Sequence, residues 1–228
     1  MLDIAWLCNM AIQAVYWLVL LACNFLGYSP VWVKRDLKKR EIEEINRSYR
    51  VPHHLSLCYS DRKVNFEELI ALIELCLAYG VRRVTVYDPW GDSIALERRF
   101  RPMCQAKNVQ ILAGCCSTPI QHTSRLVLQL LSAEAGRPTL VDACKSLSTK
   151  STKITSEDVT NLLSDKFNLQ DPDCLIMIGQ TPSLAGYPPW CLRITEFIQL
   201  RNLPFTRQTF EECLESFSKR DIRMSRCC

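Results

Sequence analysis

The chain has 228 residues, 48% of them apolar and only seven of them glycine, enough to bury one sizeable core with appendages. Its 28 Lys and Arg are interspersed with 24 Asp and Glu for a net charge of +4, a mild, scattered basicity that argues against a nucleic-acid-binding surface. Thirteen cysteines make an odd set without a C-x-x-C pair, and His53, His54 and His122 lack metal-ligand spacing, so neither a zinc site nor a disulfide framework is expected.

No charged residue occurs between Asp3 and Lys34. About 20 such apolar residues cross a bilayer as a helix, and the run lacks the basic start and small-residue cleavage site of a signal peptide. Residues 1–33 are therefore expected to be an N-terminal transmembrane helix that stays in place. Trp6, Trp17, Tyr28 and Trp32 include aromatics near both ends, and Lys34, Arg35, Lys38, Lys39 and Arg40 follow directly, which places the remainder on the cytosolic side. Residues 34–50 read as a charged, helix-prone stalk closed off by Pro52. Its basic cluster suits contact with anionic headgroups or a simply solvated helix face.

From residue 51 to 228 the pattern is that of one folded domain. "HLSLCYS" alternates as a strand. Asn65 and Glu68 are spaced as a capping box for a helix carrying Phe66, Leu69, Ile70, Ile73 and Leu77, which Gly80 stops. Val81, Val84 and Val86 mark the next strand, completing a parallel crossover. A helix near 94–106, the strand "VQILAG", a strand near 125–131, helices near 140–147 and 155–163, and the strand "DCLIMIG" complete the series. The expected fold class is α/β, a mostly parallel sheet with flanking helices. Ligands then belong at the carboxyl ends of the strands, in the loops "YSDRKVN", "DPWGDS" and "GQTPSLAGYPPW". These supply few of the arginines or metal-holding acids that a polyanion requires.

Three segments carry a resemblance to the cis-prenyltransferase family, which condenses isopentenyl diphosphate onto an allylic diphosphate. The first is Pro52 and His54 before a strand, followed by "LIELCLAYGV" and "VTVYD". The second is "GRPTLVDA", with Gly136, Arg137, Leu140 and Ala143 in register. The third is "DPDCLIMIGQTPSLAGYPPWCLRITEF", with Asp173, Ile176, Leu184, Trp190 and Glu196. Within the family the chain is similar to the non-catalytic, Nogo-B-receptor-type subunits of dehydrodolichyl diphosphate synthase. Catalytic members carry Met-Asp-Gly-Asn-x-Arg after the first strand, where the acid holds magnesium; here Tyr59, Ser60, Asp61 and Arg62 occupy the first four positions, and the acid is displaced by one residue. Where the family places arginine, glutamate and a second arginine on the condensing diphosphate, this chain has Met177, Thr181 and Ser183, and the nearby family serine is Ala185.

A buried diphosphate without those partners is uncompensated, and the loss of even one partner of a buried ion pair costs ~3–5 kcal/mol. The resemblance therefore implies no catalytic residue, metal site or cofactor in this chain, with magnesium held by a catalytic partner. It implies a partner surface at "YPPWCLRITEF", with Trp190 as anchor and Arg193 and Glu196 as polar contacts. It also implies a C-terminal tail that reaches the partner's site and meets isopentenyl diphosphate through Arg223 and the Ser225 amide, where the family has Arg-x-Gly. Cys227 and Cys228 do not form a C-a-a-X box. Two functions follow. One is a membrane-anchored subunit that supports a catalytic partner in making the polyprenyl diphosphate precursor of dolichol for protein glycosylation, at the endoplasmic reticulum membrane with the domain facing the cytosol. The other is a membrane-anchored receptor or lipid-handling adaptor that reuses a catalytically dead fold.

Overall fold

The computed structural model describes residues 49–61, 64–121, 123–149 and 153–219. The expected anchor, most of the stalk and the triplet Arg223 to Ser225 lie outside the described residues. Among the described residues no helix is long and apolar enough to cross a membrane.

Six strands, β1 (His54–Tyr59), β2 (Arg83–Tyr87), β3 (Val109–Ala113), β4 (Leu126–Leu131), β5 (Cys174–Ile178) and β6 (Glu196–Leu200), form one sheet in the order β3-β4-β2-β1-β5-β6. Every pairing is parallel. A parallel sheet is covered on both faces, and β1, β2 and β4 are accordingly buried along their whole length. Among the described residues six α-helices connect or cover the strands: α1 (Phe66–Tyr79), α2 (Asp92–Ala95), α3 (Glu97–Lys107), α4 (Arg137–Ser148), α5 (Ser156–Phe167) and α6 (Arg207–Ser218).

Local chemistry sets the helix ends. Asn65 accepts from the amides of Glu67 and Glu68, and Gly80 closes α1 at φ 85°, a left-handed turn that glycine adopts without steric cost. The expected α1 start and stop are both present. A full capping box forms at α5, where Thr155 and Asp158 exchange bonds. The expected helix near 94–106 is two pieces, α2 and α3, that meet at Leu96.

The pleat sorts the core. Leu57, Val86, Leu128 and Leu130 face α1, α3 and α6, where Phe66 meets Phe100 and Tyr79 meets Phe210 edge to face. The opposite face carries Cys58, Tyr87, Leu131 and Leu175 against Ala143 and Leu147 of α4 and Val159 and Leu163 of α5. Lower on that second face, His54, Ser56, Arg83, Thr85 and Gln129 are also buried. The second face thus has a polar layer beneath its apolar one.

Strand β6 was not anticipated; "EFIQL" is short and read instead as partner surface. It lies at the edge of the sheet and pairs with β5. A groove of about 640 Å³ runs between β6 and α6, with Ile198, Leu200, Leu203 and Phe205 among its walls.

Candidate functional site

Parallel α/β sheets bind ligands outside the carboxyl ends of their strands, so the end of β1 is the place to test. Ser60 donates to the Ile178 carbonyl through both its amide, at 2.8 Å, and its hydroxyl, at 3.0 Å. Asp61 accepts from the Gln180 amide at 3.0 Å. Gly179 sits between them at φ 137°, where a side chain would collide with Ser60 and Asp61. The ends of β1 and β5 are therefore fastened to each other by the groups that would otherwise meet a ligand.

The adjoining cavity holds about 240 Å³ and is lined by Tyr59, Asp61, Asn65, Glu68 and Arg201 among others. Among the described residues that lining holds two carboxylates and one guanidinium. Asp61 is bonded to a backbone amide, and among the described residues no group of three His, Cys, Asp or Glu is gathered.

The loop after β5 is pinned down in the same way. Cys58 Sγ donates to the Leu184 carbonyl at 3.2 Å, Tyr87 to the Ala185 carbonyl at 2.9 Å, and Ser56 to the Tyr187 hydroxyl at 3.0 Å. Gly136, at the start of α4, lies so close to the Gly186 carbonyl that no side chain fits. The glycine of "GRPTLVDA" thus serves a close approach of two backbones. Ser183 accepts from the Ala185 amide, and Thr181 is exposed. Met177 packs on the core of the second face.

Neither of the buried thiols Cys58 and Cys191 is activated. Burial pushes the Cys58 thiol up to about 12 and the Cys191 thiol to about 12, so both remain protonated at neutral pH. His54 of the P-x-H segment is buried; its Nε2 meets Thr85 Oγ1 at 2.9 Å and its Nδ1 meets the Asp171 carbonyl at 3.2 Å. Burial and the nearby Arg83 charge lower its pKa from the ordinary 6.5 to about 3. It is a neutral strut between β1 and β2.

The three interface candidates fall near one another. Trp190 is half-buried, and its indole N–H donates to Thr160 of α5 at 3.0 Å. Arg193 pairs with Asp171 at 3.0 Å. Glu196 opens β6, its amide bonded to the Asp173 carbonyl. Trp190 and Arg193 are engaged within the chain, while Glu196 begins the edge strand beside the groove. The buried polar layer under the second face was missed from sequence, because its members are spread over three strands with no local motif.

No family model matches the chain. It is similar to dehydrodolichyl diphosphate synthase complex subunits named NUS1: 24% identical to that of Homo sapiens over 78% of this chain and 68% of that one, and 25% identical to that of Schizosaccharomyces pombe over 92% and 89%. With the Saccharomyces cerevisiae subunit it shares 36% identity over 76 residues, 31% of this chain and 20% of that one. Among solved structures it resembles a probable undecaprenyl diphosphate synthase from Campylobacter jejuni, with TM-score 0.57 and 16% identity over 76% of this chain and 98% of that one. It also resembles lavandulyl diphosphate synthase from Lavandula x intermedia, with TM-score 0.58 and 16% identity over 79% and 98%.

Proposed function

From the premise that this chain is a relative of the NUS1 subunits of the dehydrodolichyl diphosphate synthase complex, built on the cis-prenyltransferase fold, we propose that it is the non-catalytic, membrane-anchored subunit of such a complex. It supports a catalytic partner that holds the magnesium and makes the polyprenyl diphosphate precursor of dolichol, at the endoplasmic reticulum membrane and on its cytosolic side. The observation that carries this is the junction of β1 and β5, where Ser60 and Asp61 are bonded to the neighbouring strand.

The partner surface is the edge of β6 with its apolar groove, together with the segment that carries Trp190, Arg193 and Glu196. An unpaired strand edge beside exposed apolar surface is a ready place for another chain to join. The tail reads as a second contribution. Arg223 lies five residues beyond the end of α6, so its Cα lies at most ~18 Å from that of Ser218, and its side chain extends the reach further.

The test compares prenyl transfer from isopentenyl diphosphate by this chain alone, by the catalytic subunit alone and by both together. Turnover is expected only where the catalytic subunit is present, and it rises with both. Phe205→Asp in the groove is expected to abolish the rise by weakening assembly. Turnover by this chain alone overturns the proposal. If the catalytic subunit gains nothing from its company, the adaptor reading takes its place.

A further inference from the structure

The polar layer of the second face holds more donors than acceptors. Arg83 opens β2 and is 4% exposed. Burial lowers its pKa, yet a guanidinium keeps its charge at neutral pH. It donates to Gln170 Oε1 at 3.0 Å, to Gln129 Oε1 at 2.6 Å and to the Asn168 carbonyl. All three acceptors are neutral, and Arg83 has no carboxylate partner among the described residues. Its Nε has no hydrogen-bond partner there at all. Nor has Nε2 of Gln129, a residue only 1% exposed.

The two unpartnered nitrogens belong to one place. Arg83 pairs in register with Val127, so Gln129, two residues further along β4, faces the same side of the sheet. The guanidinium and the amide are both planar and share the 2.6 Å bond, which keeps these nitrogens no more than ~7 Å apart. One small ion between them can touch both.

The neighbouring groups do not supply the missing acceptor. His54 is engaged through Nε2 with Thr85 and through Nδ1 with the Asp171 carbonyl, and it is neutral at pH 7 because its pKa is held at about 3. Tyr187 and Cys191, the acidic groups that act on Arg83, are kept protonated by burial. The side-chain amide of Asn168 is given to the Cys116 and Thr118 carbonyls. A buried charge without a counter-charge is strongly destabilising. Water answers it badly: accepting from both nitrogens, it brings two further O–H donors into a layer already short of acceptors. An anion accepts and donates nothing.

We propose that Arg83 and Gln129 hold a small monovalent anion, chloride under cellular conditions, inside the second face. Its class follows from the donors. One positive charge calls for one negative charge, and N–H groups shut off from solvent suit a compact ion rather than a phosphate or a carboxylic acid. The site goes beyond the proposed complex and depends on neither the anchor nor a partner chain.

The test is the urea midpoint of the full chain, in detergent, as potassium chloride replaces potassium gluconate at constant ionic strength. One site on the folded chain lowers the unfolding equilibrium constant about tenfold for each tenfold rise in chloride above its dissociation constant, so the midpoint should climb with chloride. Arg83→Met keeps the length of the side chain without its charge, and its midpoint should not respond. Gln129→Glu gives the guanidinium a carboxylate of its own. Its midpoint should be independent of chloride and higher than that of the native chain in gluconate, which decides the matter even if Arg83→Met does not fold. A native midpoint equal in chloride and gluconate overturns the proposal and leaves water as the partner of the two nitrogens. A chloride response that survives in either variant overturns it too, because the ion then binds elsewhere.

Discussion

At the carboxyl end of the sheet Cys58, Asp61 and Tyr87 bond to the segment that follows β5, and Ser60 to the last residue of β5. At the amino end Arg82 and Arg125 precede β2 and β4, exposed and on opposite faces of the sheet. The first arrangement closes the place where an α/β sheet ordinarily takes its ligand. The second leaves its charges open at the place where such sheets ordinarily do nothing. The loop after β5 is held by these bonds as a core segment is, and its tolerance to change should be that of a core.

The two ends therefore answer a glycine replacement differently. Gly136→Ala drives a methyl group into the Gly186 carbonyl, and neither backbone can yield without moving α4 or the loop. The expected cost is about 3 kcal/mol or more, read as a lower urea midpoint of the full chain. Gly80→Ala, near the amino end, has open space around the new methyl group; it costs only about 1 kcal/mol for holding a non-glycine residue at positive φ. Equal losses at the two positions would mean that the loop after β5 is not packed against α4, and the comparison would fail.

Acid sharpens the same contrast at the amino end. His54 has a folded pKa of about 3, below its ordinary 6.5, so between those values the unfolded chain binds a proton that the folded chain refuses. Stability is therefore complete above about pH 6.5 and falls as the pH drops towards 3, by up to about 1.4 kcal/mol per unit. The neighbours that enforce this are the buried Arg83 charge and His53. Urea midpoints taken from about pH 7 to pH 5, where carboxylates remain ionised, should fall in the native chain. They should stay flat in His54→Gln, which carries no proton-accepting ring. A flat profile in the native chain would show that His54 is hydrated in solution and that the polar layer is open.

The sheet was legible because each crossover announces itself: alternating or continuous apolar strands, helical periodicity, Asn65 before α1 and Gly80 after it. The edge strand β6 escaped because five residues with one central buried side chain carry no period long enough to read. The departure from the family pattern at Ser60, Met177, Thr181 and Ser183 was legible residue by residue. What replaced it was not, since the bonds from Ser60 to Ile178 and from Asp61 to Gln180 each span more than a hundred residues.

The smallest expected effect concerns the position that most invites repair. Ser60→Asp returns an acid to the place where catalytic members of the family hold magnesium. Ser60 donates its hydroxyl to the Ile178 carbonyl, and an ionised carboxylate cannot donate. It would face that carbonyl and the Asp61 carboxylate at once, adding negative charge beside a cavity already lined by Asp61 and Glu68. A loss of about 1 kcal/mol of stability is expected from the broken bond. No prenyl transfer should appear, because Met177, Thr181 and Ser183 still offer no positive partner to a diphosphate. Incorporation of labelled isopentenyl diphosphate by the purified variant alone decides it. Measurable turnover would mean that one carboxylate was all the carboxyl end lacked, and that its fastening to β5 is a closed state of a working site rather than a finished piece of scaffold.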